Sequence, residues 1–219
     1  MKIYTYDTTI FDFRKLLLEH FECSDLQKLH ESHSDWVPKK ELTFSEESRT
    51  LFHKNFYEKL SKPWSDFIEL YRSFVEKQIA SHVGGESKFI FQALPSFRLH
   101  LPNEKAIHKV HFDSDEDHRH PPGEKNVFLP MTDCLPNNTL WAESSPGKCD
   151  FSPMLLSYGE YAVWDGNKCA HYNKSNTEKL TRVSFDFRLL AKSDYDPTYE
   201  RTSYTSSTKF ILGEYYDEL

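Results

Sequence analysis

The feature that most constrains this chain is a run of short apolar segments broken by turn residues, filling its second half. The segments are 88–94 (KFIFQAL), 97–101 (FRLHL), 107–113 (IHKVHFD), 125–131 (KNVFLPM), 138–143 (NTLWAE), 160–165 (EYAVWD) and 181–190 (TRVSFDFRLL), with Pro, Asn, Asp and Gly in the gaps. The last segment is the most informative. In it Val183, Phe185, Phe187 and Leu189 alternate with Ser184, Asp186 and Arg188, so a strand here has one apolar and one polar face. Many short strands at this spacing predict a mainly β fold, a double-sheet jelly roll or barrel.

The N-terminal stretch of the chain has a different period. In 63–83 the residues Trp64, Phe67, Ile68, Tyr71, Phe74, Val75 and Ile79 recur at helical spacing, with Pro63 at the start and Gly84 at the end. Further helices are predicted over 44–60 and 11–22, and 34–42 reads as a connection. The expected organisation is a single domain over 1–219: a helical region over 1–85, a jelly-roll core over 86–190 and an extension over 191–219 that is polar and Tyr-rich, a loose end or a lid. The helices are expected to pack on one sheet.

Charge and composition narrow the function. A net charge of -7 argues against a nucleic-acid binder, which needs a basic face. No stretch approaches 18 consecutive apolar residues, so no membrane span is expected. The start of the chain lacks the apolar core of a signal peptide. Cys23, Cys134, Cys149 and Cys169 show no CxxC spacing, which speaks against a structural zinc site and for reduced thiols. A cytoplasmic protein is the expectation.

The segment VHFDSDEDHRHPP carries His111 and Asp113. Positions i and i+2 of a strand share a face, so an imidazole and a carboxylate here can bind one metal ion. His171, in KCAHYNKSN, is the candidate third ligand. Two His and one carboxylate on one side of Fe(II) leave coordination positions open for a bidentate 2-oxo acid and O2. Arg182 follows His171 by 11 residues (182 − 171), a turn and the start of the next strand. Its guanidinium can take the distal carboxylate of 2-oxoglutarate in a bidentate pair, with Ser184 two residues on offering a hydroxyl. Two similar motifs, His33-Ser34-Asp35 and His20-Phe21-Glu22, fall in the helical region, where i and i+2 do not share a face, and are read as decoys. Each site residue also has a plainer reading: Asp113 in a solvated acidic loop, His171 on the surface, Arg182 paired with Asp186 or Glu178.

At HFDSDEDH (111–118), NVFLPMTDCLPNNTLWAES (126–144) and HYNKSNTEKLTRVSFDFR (171–188) the chain resembles the Fe(II)/2-oxoglutarate-dependent oxygenase superfamily, and within it the StrG-like branch. The resemblance covers about 88–190. It implies a cupin-like double-stranded β-helix, Fe(II) at His111, Asp113 and His171, 2-oxoglutarate at Arg182, and an oxidation, most often a hydroxylation. The loop around Glu116 is more acidic than the resemblance leads one to expect, since an aromatic residue belongs there.

The substrate is expected to be a small polar metabolite, with no nucleic acid or membrane involved; the sequence leaves the oligomeric state open. Asn126 is a candidate contact to 2-oxoglutarate or substrate. Trp141 and Glu143, two apart, are candidates to stack on substrate and to bind an amine or hydroxyl. Arg98 is a candidate for an anionic group, and His118, beside the metal segment, for substrate contact. Two rival readings are a cupin-like metalloenzyme that does not use 2-oxoglutarate, which would have no need of Arg182, and a non-enzymatic jelly-roll binding module, which leaves the triad spacing unexplained.

Overall fold

The structure, a computed structural model, describes residues 1–219 other than 41–45, 47–48, 63, 81–87, 105–108 and 204–206. Its strands are β1 (Lys2–Thr5), β2 (Phe89–Gln92), β3 (Ser96–His100), β4 (Lys125–Pro130), β5 (Leu140–Ala142), β6 (Ser152–Pro153), β7 (Glu160–Trp164), β8 (His171–Asn173), β9 (Arg182–Ala191) and β10 (Tyr216–Glu218). The described strands form a seven-stranded sheet in the order β1-β7-β4-β9-β2-β10, with β3 also on β9, and a three-stranded sheet in the order β6-β5-β8. Every pairing is antiparallel. The fold is mainly antiparallel β with a few helices.

The alternation in 181–190 decides how the layers stack. Val183, Phe185, Phe187 and Leu189 of β9 join one large core cluster with Val127, Leu129 and Tyr161 of the neighbouring strands and with the helices. These helices are α1 (Phe13–His20), α2 (Leu29–Ser32), α3 (Leu51–Ser61) and α4 (Ser65–Phe74). Phe185 is the hub, with its ring 5.3 Å from Phe67, 5.7 Å from Phe56 and 6.2 Å from Phe13. On the other face Phe128, Ala162 and Trp164 meet Ala142, Met154 and Leu156, forming a second cluster between the two sheets. The polar members of β9, Arg182, Ser184, Asp186 and Arg188, lie on this inter-sheet side.

Helix α1 is capped by Asp12, whose carboxylate accepts from Lys15 N. The helix expected over 63–83 runs as α4 and continues in a π turn, Val75–Ile79. Positions 63 and 81–83 lie outside the described residues, as do 44, 45, 47 and 48 of the helix expected over 44–60, which runs here as α3. Three expectations need correction. The N-terminal region, 1–85, is not purely helical, because β1 adds to the sheet edge and Tyr4 stacks on Tyr161 at 5.4 Å. The segment 107–113 is not a strand where it is described. His111 makes an isolated bridge and Asp113 lies in a turn, while 107 and 108 lie outside the described residues. The extension 191–219, of which 204–206 lie outside the described residues, is tied down where it is described: β10 pairs with β2, and Phe210, Tyr215 and Tyr216 pack on Ile90 and Leu190.

Candidate metal centre

Two backbone connections build the site. His111 and His171 exchange main-chain hydrogen bonds (3.1 and 2.8 Å), so their side chains stand together on one side of the bridge, with ring centroids 4.3 Å apart. The next residues are then fastened to the loop before β8: Asp113 N donates to Gly166 O at 2.9 Å, and Ser114 N and Oγ donate to Asn167 O at 3.1 and 2.7 Å. Asp113 is thus aimed at the histidines by loop-to-loop bonding, and the strand geometry expected for it is not needed.

One ligand atom from each of His111, Asp113 and His171 lies within 4.8 Å of the other two. An ion about 2.1 Å from each would hold them roughly 3–4 Å apart, so small side-chain movements close the triad. The donor chemistry fits a metal. Nδ1 of His111 donates to Lys109 O and Nδ1 of His171 to Cys169 O, both at 3.0 Å. A carbonyl only accepts, so each Nδ1 carries the proton and each Nε2 keeps its lone pair. Asp113 uses one oxygen for support: Oδ2 accepts from Asn126 Nδ2 at 2.7 Å and from Arg188 Nη2 and Nε at 2.8 and 3.1 Å. Oδ1 faces His171 Nε2 at 3.5 Å.

The electrostatics keep all three ready to ligate. Burial, with His171 and His118 alongside, pushes the His111 imidazole down to about 3. Burial likewise lowers His171. Burial alone would raise Asp113, but the Arg188 guanidinium overcomes it and holds the carboxyl well below its ordinary value. A metal ion need displace no proton from these groups at neutral pH.

Arg182, 4% exposed, lies on the same inter-sheet face of β9. Its Nε donates to Asn138 O at 2.9 Å and its Nη1 to Ser184 Oγ at 2.6 Å. Among the described residues no carboxylate is within ion-pair distance of it, neither Asp186 nor Glu178. Burial lowers its pKa. A buried guanidinium whose hydrogen bonds, among the described residues, go to neutral oxygens has the chemistry to receive an anion.

The other candidates are placed as follows. Asn126 holds Asp113, and its own Oδ1 is buried with no partner among the described residues. Arg98 Nε donates to Asp186 at 2.6 Å, and Asp186 also accepts from Arg188. Sequence reasoning misses this buried chain of alternating charge, Arg98–Asp186–Arg188–Asp113, although the alternation in β9 already sets 186 and 188 on the face of 182 and 184. His118 stacks on His111 at 4.1 Å and bonds Asp115 through Nδ1. Trp141 is not brought to the site. Ala142, its neighbour, pairs with His171, so Trp141 points the other way, its ring under Lys174 Nζ at 3.3 Å. Glu143 accepts from the backbone N–H groups of Ala170, Gly147 and Cys149 (2.7, 2.9 and 2.9 Å), so it ties down a loop and its carboxylate is already occupied. Of the two decoys, His33 Nε2 bonds Phe21 O and His20 packs on Trp64, both in the helical layer. Trp164, also unforeseen, stands edge-on to His171 at 4.9 Å.

The chain is 35% identical over 213 residues to the streptomycin biosynthesis protein StrG of Streptomyces griseus, spanning 97% of this chain and 95% of that one. No protein-family model matches it. Among solved structures it is loosely similar to the apo form of the non-heme monooxygenase ThoJ (14% identical, 91% of this chain and 76% of that chain, TM-score 0.48). It is also loosely similar, over less of its length, to CytC3 with Fe(II) and alpha-ketoglutarate (17% identical, 62% of this chain and 58% of that chain, TM-score 0.46). A third is AviO1 from Streptomyces viridochromogenes Tue57 (14%, 88% and 89%, TM-score 0.45).

Proposed function

The chain belongs to the StrG family, and from that premise we propose that it is an Fe(II)- and 2-oxoglutarate-dependent oxygenase that hydroxylates a C–H bond of a small polar metabolite. The observation that carries this reading is the pairing of two features on one side of the large sheet: a His-Asp-His cluster whose Nε2 atoms keep their lone pairs, and a buried arginine with no carboxylate in ion-pair distance among the described residues. A metalloenzyme that did not use a dicarboxylate cosubstrate would have no need of the second.

His111, Asp113 and His171 would hold the iron, and Arg182 with Ser184 the distal carboxylate of 2-oxoglutarate. Bound there, the metal and 2-oxoglutarate supply the oxidising power, with O2, 2-oxoglutarate and substrate giving succinate, CO2 and hydroxylated product. The chain itself orients and shields. Arg188 and Asn126 keep one Asp113 oxygen engaged, so the carboxylate presents the other. Lys109 O and Cys169 O fix the two imidazole tautomers. Asn138, whose carbonyl steadies Arg182, lies four residues before Ala142, the partner of His171. Asn138 lies in the turn that leads into β5, so one short segment runs from the support of the arginine to the backbone partner of a proposed iron ligand. Phe128, Ala162 and Trp164 exclude water between the sheets. His118 remains the candidate at the substrate side.

We read the two sheets as the halves of a cupin-like jelly roll, and 1–219 as one oxygenase domain. Among the described residues no helix is long and apolar enough to cross a membrane. The four cysteines are free, which suits a reducing compartment such as the cytoplasm.

The test is an anaerobic titration with Fe(II) and 2-oxoglutarate, watching for the weak visible charge-transfer band of the chelate. The expected result is a band that is lost in His111→Ala and weakened in Arg182→Ala. Iron binding without a band would give the lead to a metalloenzyme that does not use 2-oxoglutarate. Failure to bind iron would remove the metal centre altogether.

A further inference from the structure

The C-terminal segment of the chain is built onto the metal loop, and the contact centres on a buried carboxylate that the proposed chemistry does not use. Glu124 is fully buried. Its Oε2 lies 2.8 Å from His120 Nδ1, and its Oε1 accepts from the hydroxyl of Tyr216 on β10. His120 in turn donates its backbone N–H to Asp113 O at 2.9 Å. Its ring is walled in by Phe210 at 4.9 Å and Tyr215 at 5.9 Å. Two outer ties join the same segments: Tyr199 Oη to Arg119 O at 2.9 Å, and Arg201 to Glu116 at 3.3 Å.

Neither end of this chain of contacts is free to wander. Tyr215 donates to Gln92 at 3.0 Å, and β10 is hydrogen-bonded to β2, so the tyrosines are anchored to the large sheet. Burial and the neighbouring Glu124 raise the Tyr216 pKa, so its hydroxyl stays a donor. The loop 111–124 contains two of the three metal ligands, yet among the described residues it has one isolated bridge and no strand before β4. A loop ligand holds its geometry only if its support is locked.

We infer that Glu124 is a positioning residue for the metal centre, and that Tyr216, brought by the C-terminal segment, locks Glu124 and through His120 the Asp113 backbone. This rests on the metal-binding reading of His111, Asp113 and His171. The C-terminal segment then serves neither as a loose end nor as a lid; it is a fixed clamp on the loop that carries Asp113.

The experiment is Co(II) titration of the full chain, followed by its visible absorption, together with hydrogen exchange at the His120 amide and thermal melting. Glu124→Gln and Tyr216→Phe are each expected to weaken Co(II) binding by about tenfold, the low end for residues that support metal ligands, and to speed His120 exchange. The double variant should be no weaker than the worse single one, because both break the same link. Asp217→Asn is the control: it loosens the pair between Asp217, on the same strand as Tyr216, and Arg72 of α4, and should leave Co(II) affinity within about twofold. Tyr216→Phe removes one oxygen and keeps the ring packing, so it serves where Glu124→Gln does not fold. Unchanged affinity in Glu124→Gln and Tyr216→Phe overturns the inference. So does a loss in all three single variants that merely follows their melting temperatures. A wild-type chain that takes up no Co(II) overturns the metal centre and the inference with it; wild-type binding with unaffected variants overturns the inference alone.

Discussion

Arg188 sets two nitrogens on a single oxygen of Asp113, Nη2 at 2.8 Å and Nε at 3.1 Å, and leaves the other oxygen to face His171. The same guanidinium reaches Asp186, which is held by Arg98. The geometry of the proposed metal ligand Asp113 is thus set from the large sheet, through a strand that also carries Arg182.

Removing the guanidinium should affect both metal binding and stability. Arg188→Met keeps much of the volume but leaves Asp113 and Asp186 buried with less support. Breaking a buried pair from one side costs about 3–5 kcal/mol, and loss of a ligand's outer support costs about 10–100-fold in metal affinity. Urea unfolding and Co(II) titration of this variant measure the two effects. A variant as stable as wild type with undiminished affinity would show that the charge chain is idle.

Gly166 has a specific packing requirement. A Cβ there would lie 2.7 Å from both Cγ and Nδ2 of Asn126, closer than real contacts allow, and Asn126 Nδ2 is the group that holds Asp113. Gly166→Ala should therefore act through Asn126. It should weaken metal binding several-fold and destabilise by about 1–3 kcal/mol, as overpacking does. Asn126→Ala on the same background should relieve the clash and recover some of the stability. Titration of the two variants side by side checks this; if Gly166→Ala binds metal as wild type does, Asn126 has somewhere else to go.

The two halves of the site are not equally legible in the sequence. The β9 alternation can be read because a period of two assigns each side chain to a face, and it places Arg182 and Ser184 correctly beside each other. Asp186 and Arg188 obey the same period, but their partners Arg98 and Asp113 are 88 and 75 residues away in sequence, and spacing does not reveal such contacts. His111 and Asp113 are found by an i, i+2 rule that their local backbone does not follow, since the loop bonding to Gly166 and Asn167 aims them. For Trp141 the same rule does not say which face looks inward, and Ala142 takes the place opposite His171; Glu143 follows the last residue of the three-residue β5 and turns to loop amides. The segment 191–219 is not legible in its packing: Tyr215 and Tyr216 are held by Gln92 and Glu124, residues far away in sequence.

Arg182 offers a test in which stability and binding move apart. Its charge is buried and lacks a carboxylate among the described residues, so it is a cost to the ligand-free protein. Replacing such a group by an apolar one of similar volume is often neutral or stabilising, by about 1–4 kcal/mol for buried ionic groups. Arg182→Met should melt at or above the wild-type temperature and bind Co(II) as well as wild type, while losing 2-oxoglutarate binding by at least about a hundredfold, the scale of a lost charged hydrogen-bond pair. Added 2-oxoglutarate should raise the melting temperature of the metal-loaded wild type and leave the variant where it is. A variant that still responds to 2-oxoglutarate would remove Arg182 from the cosubstrate site.

The helical layer carries a pH dependence of its own, separate from the metal centre. His53 is 3% exposed, bonded to Thr50 Oγ1 through Nδ1 at 2.8 Å, and its ring meets Phe97 edge-on at 5.7 Å. Burial, with the Arg98 charge added, lowers its pKa to about 3 from an ordinary 6.5. The unfolded chain therefore binds a proton below pH 6.5 that the folded chain refuses until about pH 3. The stability tied to His53 is complete above pH 6.5 and is lost as pH falls through that window, with a slope of at most about 1.4 kcal/mol per pH unit for one group. Urea unfolding of wild type and His53→Asn at about pH 7 and about pH 5 checks this. The variant retains a polar atom near Thr50 but has no proton to gain, so its loss of stability on acidification should be smaller than wild type by about 2 kcal/mol over those two pH units. Equal losses in the two proteins would mean that the proton uptake driving acid unfolding lies elsewhere, in the buried histidines of the metal site.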